Sequence, residues 1–163
     1  MAHIVPEDPA LPHSALPDAD WADRYVVLSP ERSMPAIRAA RLALGQSPAW
    51  VRGLLSLRNR IVAPFGLKAA EMKLGEAGAV GAFPVVSVRD DQVVLGFDDR
   101  HLDFRIVVDV APAGAEGSSV AVTTLVDRHN LFGRLYILAV TPFHRLIVRT
   151  TLARLADPAV LSR

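Results

Sequence analysis

Acid–base chemistry needs ionisable side chains at short, fixed spacing, and three groups in this chain meet that condition. His101, Asp103 and Arg105 alternate along one segment and on a strand would share a face. There His101 would act as general acid or base positioned by Asp103, with Arg105 holding a carboxylate or enolate oxygen. The plainer reading is a solvated sheet face. The alternate residues Leu102, Phe104, Ile106, Val108 and Val110 are all apolar and better suited to an interior. The second group is His129 and Asn130, followed by Arg134 and Tyr136. It would sit at the mouth of a pocket, or be a helix cap (Asn130) beside a solvated histidine. The third is His144 and Arg145, just after Pro142. A proline inside a helix frees a carbonyl and bends the axis, which would shape a pocket beside His144. A lone histidine on an apolar helix is otherwise a structural residue with a local partner.

Other chemistries lack their residues. The chain has no cysteine, which removes disulfides, thiolate nucleophiles and cysteine-ligated zinc or iron–sulfur centres. The five histidines show no HExxH-type spacing, so no metal site is expected. Phosphate loops and GxGxxG are missing, and Ser56 and Ser87 lack the flanking glycines of a nucleophile elbow. No cofactor is expected.

The elements that must position these groups follow from periodicity. Residues 1–19 carry four prolines and read as an extended arm, with one domain over 20–163. Trp21 to Leu28 has strand composition, with Trp21, Asp23, Tyr25 and Val27 on one face. Residues 35–44 read as a short helix stopped by Gly45. A second helix starts at Ser47-Pro48, with Trp50, Leu54, Leu57 and Ile61 on one side, and ends at Pro64 and Gly66. Residues 66–82 are ambiguous. Strands follow at 83–89 and 92–97 around an Asp90-Asp91 turn, at 101–110, and at 120–128. Last comes a long helix from Arg128 to about Ala156, interrupted by Pro142 and so apolar in its first half that it should be surrounded. Short connections make the sheet antiparallel, and helices gathered on one face of it make an α+β domain.

The totals agree with one soluble domain: 163 residues, 51% apolar and 21% charged. A net charge of +1 gives no support for nucleic acid. The basic residues are almost all arginine, as GC-rich bacterial coding produces. No secretory signal is expected from the N-terminal stretch. The apolar run Leu131–Val148 contains Arg134, Pro142, His144 and Arg145, which are costly at mid-membrane. A cytoplasmic protein without membrane insertion is the expectation.

Three segments carry a family resemblance: LGFDDRHLDFR at 95–105, VTTLVDRHNLFGRLYILAVTPFHRLIV at 122–148 and LLSLRNRIVAPFGLK at 54–68, with FPV at 83–85. They resemble the domain of unknown function 2867 family. The element order resembles the helix-grip arrangement of the START-like (SRPBCC) superfamily, in which an antiparallel sheet curls around a long C-terminal helix, with two short helices after the first strand. The resemblance implies a cavity for an apolar or amphipathic small molecule between sheet and helix. Its wall would come from Leu102, Phe104, Ile106, Leu135, Ala139 and Phe143, with Phe132, Tyr136 and His144 also towards the ligand, and it should exceed ~300 Å³. Non-catalytic binding is the leading expectation. The alternatives are a cofactor-free cyclase, dehydratase or isomerase, and a homodimeric or partner-binding module. The enzyme alternative requires ionisable side chains inside the pocket, so the orientation of His101 and Asp103 discriminates it from simple binding.

Overall fold

The computed structural model describes residues 3–46 and 78–162, and between them 49, 52, 53, 56, 59, 60 and 63–65. Seven strands form one antiparallel sheet: β1 (Ile4–Glu7), β2 (Trp21–Ser29), β3 (Ala79–Val80), β4 (Phe83–Val88), β5 (Gln92–Asp98), β6 (Leu102–Pro112) and β7 (Ser118–Arg128). Their order is β1-β2-β7-β6-β5-β4-β3. Helix α1 spans Ala36–Leu44, the long helix α2 spans Leu131–Ala153, and the short α3 spans Pro158–Leu161. The fold is α+β, as the one-faced strand pattern requires.

The proline-rich arm contributes to the sheet. Its Ile4–Glu7 segment pairs with β2, so helix α1 follows the second strand rather than the first. The arm then crosses the outer face of the sheet, where Leu16 packs on Val94, Val107 and Leu125. That small second core explains why Val107 is fully buried although it shares a face with Asp103 and Asp109. Arg128 fixes the end of the arm through Asp20, at 2.9 Å.

The main core lies on the inner face. Tyr25, Val27, Leu95, Ile106, Val108 and Val122 meet Ala36, Ala39, Ala40 and Ala43 of α1 and Val148, Leu152 and Leu155 further along the chain. The four alanines recur at three- and four-residue spacing, so α1 presents a smooth stripe that approaches the sheet closely. Each fully buried leucine or valine there contributes roughly 1.5–3 kcal/mol relative to exposure. Gly45 closes α1 with ordinary right-handed φ (−69°). Its need for glycine is steric, since a Cβ there would collide with the Arg41 carbonyl.

Beyond α1, residues 49, 52, 53, 56, 59 and 60 are helical, within the second helix expected from sequence. Its N-cap Ser47 and its apolar positions Trp50, Leu54, Leu57 and Ile61 lie outside the described residues, as does 66–77.

Helix α2 departs from expectation in two ways. It runs unbroken through Pro142. The missing N–H deprives the Leu138 carbonyl of its helical donor, but Leu138 is 72% exposed, where water can replace it. It is also not surrounded. Gly133, Ile137, Val148, Thr151 and Leu152 are buried against the sheet side, while Leu131, Leu135, Leu138, Phe143 and Leu146 are exposed. One sheet covers only one side of a helix.

Candidate functional site

The N-terminal part of α2 does not close fully on the sheet. Between them lies a cavity of about 200 Å³. The sheet supplies Trp21, Phe97, Leu102, Phe104, Ile106, Val122, Thr124 and Val126, and α2 supplies Tyr136, Ile137, Val140, Thr141, His144 and residues of the next two turns. The wall is mostly carbon. The volume falls short of the ~300 Å³ expected of a drug-sized site but exceeds the ~150 Å³ that admits benzene.

Most polar groups in the wall are already engaged. Thr141 and Thr151 donate their hydroxyls to the carbonyls of Ile137 and Val148 in their own helix, at 2.6 and 3.0 Å. His144 and Tyr136 are the ionisable side chains of the wall among the described residues, and His144 is its imidazole. Its Nε2 lies 3.1 Å from Asp23 Oδ1, 3.0 Å from Asp23 Oδ2 and 3.3 Å from Thr124 Oγ1. An ionised carboxylate only accepts, so this nitrogen carries the hydrogen, and Nδ1 is left as the acceptor of a neutral ring. Trp21 meets the imidazole edge-on, with centroids 5.7 Å apart. Asp23 is not part of the cavity wall and lies behind the histidine. Its Oδ2 is buried and, though close to Nε2, lies off the hydrogen-bond line and has no hydrogen-bonded donor. A histidine held in one tautomer by a buried carboxylate is the arrangement that orients an acid–base or anchoring group.

Secondary structure sets this geometry. Alternation in β2 puts Asp23 on the same face as Tyr25 and Val27, inside the sheet. Asp23 pairs in register with Thr124 of β7, which brings both oxygens to one spot. Helix α2 then carries His144 over them from 121 residues away. One sequence signal pointed here. Asp23 is the ionisable member of an otherwise apolar face, and such a residue requires a partner. Alternation alone assigns Asp23 to that face and does not identify its partner.

The expected site residues divide. Leu102, Phe104, Ile106, Tyr136 and His144 line the cavity. Leu135, Ala139 and Phe143 do not, because they project from the solvent side of α2. Helical spacing turns them roughly opposite to Ile137, His144 and Val148. Phe132 is not in the wall either and packs at a tilt against His101, with centroids 4.9 Å apart.

His101, Asp103 and Arg105 lie away from the cavity, which is walled instead by the apolar Leu102, Phe104 and Ile106 between them. They are tied into the outer surface. Arg105 pairs with Asp98 at 2.7 Å and donates to the carbonyls of Phe97 and Phe104. His101 Nδ1 is 3.0 Å from Asn130 Nδ2, and Asn130 Oδ1 caps α2 by accepting from Gly133 N at 3.0 Å. The first two groups thus form one cluster. His129 Nε2 lies 3.3 Å from Asp103 and 3.6 Å from Asp127, two carboxylates directly opposite each other across β6 and β7. His129 Nδ1 is 3.3 Å from the Arg100 carbonyl. Burial works against its charged form, but the Arg100 carbonyl and the two carboxylates outweigh it and raise its pKa above the ordinary value. The three facing atoms lie within 4.8 Å of one another, a spacing that could hold a cation. When protonated, the imidazole itself supplies a positive charge at that point.

Sheet, helix and cavity define an α+β protein with a largely apolar cavity under its long helix and, in the cavity wall, a histidine backed by an aspartate. The chain belongs to the family described as protein of unknown function (DUF2867), whose pattern matches residues 15–151. No curated protein and no solved structure matches it.

Proposed function

We propose that the protein binds a small, mostly apolar molecule in the cavity under α2, anchored by one hydrogen bond at His144, in a START-like helix-grip arrangement. One observation carries the reading: an apolar cavity with a histidine in its wall that is oriented by a largely buried carboxylate behind it. Apolar pockets with few, fixed polar groups are the usual form of small-molecule sites. The volume suits a ligand on the order of ten heavy atoms, one substituted ring.

Titration calorimetry with 4-ethylphenol and ethylbenzene tests it. The phenol binds more tightly, and His144→Leu removes its advantage. Val122→Phe, pointing into the cavity, excludes both. No heat from either compound, together with no co-purifying molecule in native mass spectrometry, would sink the proposal.

The same pair favours a second reading, a cofactor-free isomerase or dehydratase. With Nε2–H given to Asp23, Nδ1 is a base beside an apolar cavity and could take a proton α to a carbonyl. Deuterium exchange into acetophenone, followed by NMR, tests it. The reading requires exchange that His144→Gln abolishes while binding persists; exchange equal to the buffer rate rejects it.

A further inference from the structure

The outer face of α2 has no role in the cavity. Of the ten exposed large apolar side chains among the described residues, five lie on this helix: Leu131, Leu135, Leu138, Phe143 and Leu146. At 100° per residue they form one stripe together with Pro142. Arg134 and Arg145 lie along one edge of it and Arg149 continues its line just beyond Leu146, all exposed. From Leu131 to Ala156 the chain contains no acidic residue. Arg134 makes one long contact, 3.6 Å to Asp20, and Arg145 and Arg149 make no ion pair among the described residues.

We propose that this face docks on an anionic lipid surface, with α2 lying in the plane of the interface. This does not rest on the cavity reading. The charge pattern selects the occupant. A second copy is disfavoured because antiparallel pairing sets Arg134 against Arg145, and parallel pairing sets the arginine edge of one helix against an opposite edge that carries no acid. A protein partner would need directional groups or a pocket for an anchoring side chain, and this face offers neither. Besides arginine, its flanking Thr150 spends its hydroxyl on the Leu146 carbonyl, at 2.9 Å. Leucines beside arginines on a single convex helix are what an anionic interface accepts: apolar burial to a shallow depth plus non-directional charge attraction. The helix lies along the surface rather than across it, because its other side is packed on the sheet.

Co-sedimentation with vesicles of phosphatidylcholine alone, and mixed equally with phosphatidylglycerol, tests the proposal. The protein partitions onto the anionic vesicles, and rising salt releases it. Arg145→Gln with Arg149→Gln weakens partition about fivefold for each charge removed. Leu135→Gln with Leu138→Gln reduces it more than tenfold, while thermal unfolding confirms that both variants fold. If the leucine variant does not fold, the arginine variant, which leaves the apolar stripe intact, decides. No partition at low salt overturns the proposal, and so does partition that neither variant changes. A dimer in light scattering that the leucine substitutions disperse also overturns it, by assigning the face to a second copy.

Discussion

Replacing His144 with leucine tests whether the Asp23–His144 pair is an energetic unit. The substitution leaves the Asp23 carboxylate among apolar neighbours with its hydrogen-bond donor gone. Losing a hydrogen bond to a charged group costs about 1.5–3 kcal/mol. Here the side chains are 15% and 20% exposed, so water recovers part of the loss, and about 1–2 kcal/mol is expected. For a chain of 163 residues, about 2–4 °C of Tm corresponds to each kcal/mol, giving a fall of about 2–8 °C. Asp23→Val together with His144→Leu removes both members and should recover most of the loss, since replacing both partners by apolar groups of similar shape is often nearly neutral. Urea unfolding of the four proteins in the cycle, at one pH, gives the coupling energy. A coupling below about 0.5 kcal/mol, the scatter of independent sites, would refute the claim that the two residues act together. The histidine would then be merely adjacent to Asp23.

Four further outcomes follow from particular contacts. Gly133→Ala places a Cβ against the His101 carbonyl, so helix α2 must move off the β5–β6 turn; a loss of about 1–3 kcal/mol in chemical unfolding is expected. Asn130→Ala removes the side-chain cap on Gly133 N and should cost about 1 kcal/mol by the same measurement. His129 has a raised folded pKa, so its pairing stabilises fully below the unfolded value, about 6.5, and is lost as pH rises through the folded value. Asp103→Asn should therefore destabilise at about pH 6 and have little effect at about pH 9; equal effects at both would exclude the ion pair. Asp20 behaves oppositely. Burial pushes its pKa up, but hydrogen bonds from Arg128 and the charges of Arg128 and Arg134 bring it below the ordinary value. Its contribution holds above the unfolded pKa and disappears as pH falls through the lower folded one, so Arg128→Gln should shift acid unfolding to higher pH.

Much of the fold was legible because periodicity is a local property. Leu102, Ile106 and Val108 alternate with Asp103, Arg105 and Asp109, and the structure turns the apolar set inward. The Asp90-Asp91 turn and the Asn130 cap were readable for the same reason, since each depends on a few neighbouring residues. The strand formed by the arm was not, because prolines mask the pattern and only pairing with β2 makes Ile4–Glu7 a strand. The exposure of the long helix is not legible in the same way, because sequence reports how apolar a surface is and not whether anything covers it.

What the sequence by itself determined is the antiparallel α+β class, the inward face of each strand and the absence of cysteine chemistry. These depend on composition and on repeats of two and 3.6 residues. What only the tertiary structure decided is which ionisable groups meet. Sequence grouped His101, Asp103 and Arg105 by proximity along the chain. Folding instead sends His129 to Asp103 and Asp127, and joins Asp23 to His144 beside the cavity. Spacing along a strand fixes the face of a side chain, while its partner comes from register and helix placement, which are long-range.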